Sequence, residues 1–233
     1  MSERGVALIL AVLFTSFLSA IGLGLALVVF MDRLAVGNMR GSVGLLYAAD
    51  AGIEVAARDL SRADDWNAAL EGLERGSLTD GSPGGLRQTP GGAINLTTLT
   101  NQLNCGRDAD CTAMQMDAST RERPWARNNP RWQLYGYASF GTLADLERPI
   151  PCYLVIWVAD DGRERDEDPF SDALDEEPGH GILRVRAEAF GSGGARRAIE
   201  AELVRFCLPG SIPGSCRAGI RVQSWQEVRQ AVP

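Results

Sequence analysis

Three places in this chain hold residues whose chemistry could be put to use. The first is Arg4-Gly5-Val6, where a small residue stands between a cation and a long apolar run. A peptide bond there is open to a processing protease. Cleavage would leave the whole apolar run on the mature chain, whereas a secretory signal peptide is cut after its apolar region. The second place is acidic: from Asp160 to Glu177, ten carboxylates face only Arg163 and Arg165, a local charge of −8. Asp160, Asp161, Asp166 and Asp168 are oxygen donors of the kind that calcium collects six to eight at a time. Their spacing is not that of an EF-hand, and the two arginines dilute the field. A solvated acidic loop is therefore the competing reading.

The third place is the set of five cysteines. Five residues separate Cys105 from Cys111, and eight separate Cys207 from Cys216. Neither spacing is that of a CxxC zinc or redox motif. Both suit short loops closed by disulfides, which persist in an oxidising compartment. Cys152 is then left as a free thiol, and reduced, buried thiols throughout are the alternative. Catalytic groups are scarcer. The single histidine, His180, lies in a Pro-Gly-His-Gly turn and reads as a surface residue. The chain has no GxSxG, no HExxH and no phosphate loop. Its net charge is −7, and outside the acidic stretch it is close to neutral, which excludes a basic nucleic-acid surface.

The elements that must position these residues begin with Val6 to Met31, 26 residues without a charge. As a helix at about 1.5 Å per residue, that run exceeds a bilayer core of roughly 30 Å. Beyond it, Leu46, Ala49, Ile53, Ala56 and Leu60 recur at helical steps and form one apolar stripe. The pattern predicts one long helix from Val6 to Leu60. A weak place is expected between Gly37 and Gly44, since each glycine lowers helix propensity by about 1 kcal/mol relative to Ala. A further helical piece is expected near Asp64 to Glu74, a loop over Gly76–Gly92, and a short helix over Ile94–Leu103.

Strand patterns follow at 131–140, 152–158, 181–190 and 195–207, the last two joined by Gly191-Ser-Gly-Gly194 as a hairpin. A short strand around Ile220–Val222 is expected in the tail. These strands make an antiparallel meander, with the amphipathic half of the helix laid across it, an α+β fold. The organisation is then a leader over 1–5, a membrane-spanning helix half over 6–31, an amphipathic half over 32–62, and a globular domain over 63–233.

Three stretches taken in order resemble the type IV pilin-like family, and within it the minor pilins of the PilX type. They are Arg4-Gly-Val-Ala-Leu-Ile-Leu10, Ala48-Ala-Asp-Ala-Gly-Ile-Glu54, and Ile182-Leu-Arg-Val-Arg-Ala-Glu-Ala-Phe-Gly-Ser-Gly-Gly-Ala-Arg-Arg197. The resemblance implies a leader removed after Gly5 by prepilin peptidase, with methylation of the new N-terminus at Val6. It implies a helix that serves first as membrane anchor and then as filament core. Leu10 departs from the family pattern, since most major pilins carry Glu at that place, where it is thought to pair with a neighbour's N-terminal amine. A subunit that starts the filament has no neighbour above it and does not need that carboxylate. The K-type minor pseudopilin of type II secretion shows the same departure.

Three functions follow as expectations. The first is a minor pilin that helps to initiate a type IV pilus and sits near its tip, not an enzyme. It would be anchored in the inner membrane with its domain in the periplasm, and exported in the assembled pilus. Its partners would be the major pilin, other minor pilins, the inner-membrane assembly platform and a tip adhesin. Leu10, Leu46, Ala49, Ile53 and Leu60 would form the assembly face of its helix. The second is a minor pseudopilin that caps a type II secretion pseudopilus. The third is a membrane-anchored periplasmic enzyme or sensor domain, which would need a catalytic constellation that the motifs do not supply. For the first two, the mature protein should begin at Val6, and Gly5→Val should leave a precursor still carrying Met1. Intact-mass measurement of the purified protein checks this, and a mature chain beginning beyond Met31 would refute it.

Overall fold

The computed structural model describes residues 3–63, 65–118, 126–142, 151–164, 166–172, 179–207 and 218–228. The chain divides into two units, Met1–Val43 and Gly44–Pro233, and one helix, α1 (Glu3–Leu60), runs through both. The expected weak place between Gly37 and Gly44 is not a break. A few scattered glycines cost propensity, but they leave every backbone N–H free to bond in the helical ladder. In the first unit, the described side chains from Val6 to Arg40 are all exposed. Among the described residues, α1 is the one helix long and apolar enough to cross a membrane.

The second unit is α+β. After α1 come a single helical turn α2 (Asn67–Leu70), the strands β1 (Leu86–Thr89) and β2 (Gly92–Asn95), and the helices α3 (Leu96–Cys105) and α4 (Ala113–Asp117). Five strands follow: β3 (Gln133–Ser139), β4 (Tyr153–Asp160), β5 (Ile182–Phe190), β6 (Arg196–Cys207) and β7 (Ala218–Val228). They form one sheet in chain order, antiparallel throughout. The turn between β5 and β6 uses Gly193 and Gly194 at φ 66° and 75°, where side chains with a Cβ are disfavoured.

Two cores flank this sheet. On one face, Leu45, Ala48, Ala49, Ile53, Ala56 and Leu60 of α1 pack on Leu154, Ile156, Val158, Val185, Ala187, Ile199 and Leu203. On the other, Trp157, Tyr153, Val155 and Phe190 pack under Leu96, with Leu99 and Leu103 of α3 against them. Thus every residue of β4 is buried, alternate residues serving opposite cores. Burial of each large apolar side chain contributes about 1.5–3 kcal/mol. The second core is anchored by a hydrogen bond from the Trp157 indole N–H to Thr100 Oγ1, 2.9 Å. Helix α3 starts where the Asn95 side chain accepts from the Thr98 N–H, and it ends at Gly106, φ 69°.

The edges of the sheet differ. Residues 76–80 run beside β3 and hydrogen-bond to it: the Gly76 and Asp80 N–H groups donate to Tyr135 and Tyr137 carbonyls, and the Tyr137 N–H donates to Leu78. On β7 the exposed residues run from Arg221 to Glu227, and of that strand Ile220 reaches the core.

Several expectations change. The loop expected over Gly76–Gly92 contains β1 and the start of β2, a small hairpin that Gly-rich composition concealed. The helix expected near Asp64–Glu74 shrinks to Asn67–Leu70, because Trp66 turns inward and its indole N–H donates to the Leu60 carbonyl, 3.1 Å. The tail strand is 11 residues long, not a stub at Ile220–Val222. The disulfide between Cys105 and Cys111 is formed, and Cys152 is a buried free thiol. The pairing of Cys207 with Cys216 lies outside the described residues.

The closest approach of α1 to the sheet is at Gly52. A Cβ there would lie 3.0 Å from both Ala187 Cβ and Leu154 Cδ2. Gly52→Val should therefore destabilise the domain by about 3 kcal/mol through overpacking. Glu54→Val, on the exposed side of the same helix, should cost less than about 1 kcal/mol. Chemical denaturation of the protein in detergent micelles, followed by tryptophan fluorescence, separates the two.

Candidate functional site

Two regions gather the residues that the sequence singles out: the outer surface of α1 and the acidic segment after β4. On α1, Val6 is 45% and Leu10 61% exposed. The helical neighbours of Leu10, one turn away at Val6, Leu13 and Phe14, are apolar and exposed as well. A carboxylate at position 10 would thus have stood in apolar surroundings. In a bilayer that position is costly to charge unless a partner is supplied, and the chain offers no charge there from Val6 to Met31.

The rest of the expected assembly face does not stay on the surface. Ala49, Ile53 and Leu60 are 0–1% exposed in the domain's own core, and Leu46 is half-buried against it. They are closed to a neighbouring subunit. An apolar stripe reports that a helix face is buried, not which partner buries it. On α1 the large apolar side chains that stay exposed run from Val6 to Tyr47.

The acidic segment is also less open than its composition implies. Asp160 and Asp161 are each 4% exposed and Glu164 2%. This corrects the picture of a solvated loop at its first three acids: Asp160 ends β4 opposite Leu183 of β5, and Asp161 and Glu164 follow it, buried as well. Arg163 holds Asp161, its Nε donating to both carboxylate oxygens at 2.9 and 3.2 Å, and its Nη2 lies 3.2 Å from Glu202. Among the described residues, no cation holds Asp160 in this way. Burial, and then the charge of Glu164, push its carboxyl up to about 9, and Asp172 adds to the effect. Asp172 is also raised, first by burial, and this is moderated by the Gly181 N–H that donates to it. Asp160 and Glu164 thus lie together as buried carboxyls, and Asp160 holds its proton more tightly than a free carboxyl does.

The four aspartates considered for calcium are not gathered. Asp160 and Asp161 are buried, while Asp166 and Asp168 accept from the backbone N–H groups of Asp168 and Phe170. Among the described residues, no group of three or more His, Cys, Asp or Glu is disposed to hold a metal ion. His180 is exposed, its Nδ1 4.0 Å from Asp172. Burial pushes the Cys152 thiol up to about 11, which keeps it un-ionised and unreactive at neutral pH.

One polar feature went unnoticed in the sequence. Arg186 and Glu188, 6% and 3% exposed, are buried on the α3 side of the sheet. Arg186 reaches Glu200 at 2.6 Å and Glu188 at 3.3 Å, while Arg184 reaches Glu200 at 3.1 Å and stacks over Trp132. The signal was the charge alternation of Arg184-Val-Arg-Ala-Glu188, set against Glu200 and Glu202 on β6, since Arg184 pairs with Glu202 and Arg186 with Glu200. In the sequence it registers only as an apolar–charged alternation of a strand, whereas in the structure Arg186 and Glu188 are buried.

No protein family matches this chain, and neither a curated protein nor a solved structure matches it. Its fold is a long N-terminal apolar helix packed on an antiparallel sheet, compatible with a pilin-like architecture.

The buried carboxyl sets a pH dependence. A carboxyl whose folded pKa lies above its unfolded value binds a proton more tightly in the folded state, so stability falls as pH rises between the two values. For Asp160 that window runs from about 4 to about 9. Asp160→Asn keeps the shape and removes the titration. The variant should match the natural protein near pH 4 and exceed its stability by about 1–3 kcal/mol at pH 8. Denaturant midpoints measured across that range check this, and parallel curves would remove Asp160 as the cause.

Proposed function

We propose that this chain is a minor pilin that helps to initiate a type IV pilus and sits at or near the filament tip. One observation carries the reading: a single helix is fully exposed and apolar in its first half and is built into a domain core in its second. Such a helix is anchor and scaffold at once, which an ordinary single-pass anchor joined by a linker is not. Arg4-Gly5-Val6 before the apolar run and the oxidised Cys105–Cys111 loop support export by this route. The tip position rests on Leu10, which has no carboxylate to offer a subunit already in the membrane. In this reading the membrane-embedded surface meets the major pilin and the assembly platform. The loops of the sheet domain meet other minor pilins or an adhesin. The reading requires no catalytic step and no bound metal.

Leu10 also favours a second reading, the minor pseudopilin that caps a type II pseudopilus, where the same substitution occurs in the K-type subunit. The two separate by phenotype. If the chain primes a pilus, deleting its gene should cut the number of surface filaments at least about fivefold while leaving the length of survivors unchanged. Immunogold labelling should mark filament ends. Labelling at intervals along the shaft, at a level near that of the major subunit, would rule out the tip role. Normal filament numbers with lost exoprotein secretion would transfer the chain to the second reading.

A further inference from the structure

No further inference is drawn: the strongest candidate, the outer edge of the last strand Ala218–Val228 with Val222 and Trp225 exposed beside it, carries nothing, because no group in the structure indicates what covers it.

Discussion

The architecture depends on how near α1 lies to the sheet. Ala48, Ala49, Gly52 and Ala56 make the contacting face of the helix small, so its backbone comes down onto Leu154 and Ala187, and a methyl group at Gly52 would lie 3.0 Å from both. Larger residues, Leu45, Ile53 and Leu60, flank that strip and fill the space on either side. A close, wide contact of this kind gains dispersion over many atom pairs, each small. It also favours one rotational setting of the helix, since turning it would press larger side chains into an already tight contact. The same helix is apolar on all sides further toward its N-terminus, so one continuous element changes environment along its length.

Much of this was legible in the sequence because the signals were long and of one period. The charge-free run over Val6–Met31 and the strand of Cys152-Tyr-Leu-Val-Ile-Trp-Val158 cannot be read in many ways. The hairpin of β5 and β6 was legible from two alternating stretches around a glycine turn. What the sequence concealed was the far side of the sheet. Tyr153, Val155 and Trp157 alternate with Leu154, Ile156 and Val158, and both sets are apolar, the pattern of a strand covered on both faces. Nothing local identified the cover, α3, whose polar threonines and asparagines outnumber its leucines. The stripe of Ala49, Ile53 and Leu60 was assigned both to the sheet and to an assembly face, and its period alone does not choose between a sheet and a neighbouring helix.

Charge was the least legible property. Counting acids from Asp160 onward suggested a hydrated loop, yet three of the first four acids are withdrawn from water, and each is handled differently. Asp161 is paired with Arg163, Asp160 has its carboxyl raised by burial and by Glu164, and Glu164 lies beside it. Composition gives the sum of charges, whereas burial decides which of them exist as charges. The pattern of Arg184, Arg186, Glu188 and Glu200 makes the same point on the opposite face. There the charged groups pair with one another in a ladder of alternating sign. Buried ladders of this kind do little for net stability, but they penalise a slip in register, since a one-residue shift would set Arg184 and Arg186 opposite Leu203, Ala201 or Ile199 in place of the glutamates.

The two borders of the sheet make the domain lopsided in what it tolerates. Beside β3 the chain has already laid down its own residues 76–80, and that side is finished. Beside β7 no such border segment appears among the described residues, and the strand's own ladder is interrupted between Glu202 and Leu203. Extra sequence can therefore accrete on one flank only. An insertion near residues 76–80 has to displace a hydrogen-bonded border, while among the described residues β7 presents an edge without one. Length variation, tags and fused reporters belong at that flank, and the kink in its ladder limits runaway stacking of one domain upon the next.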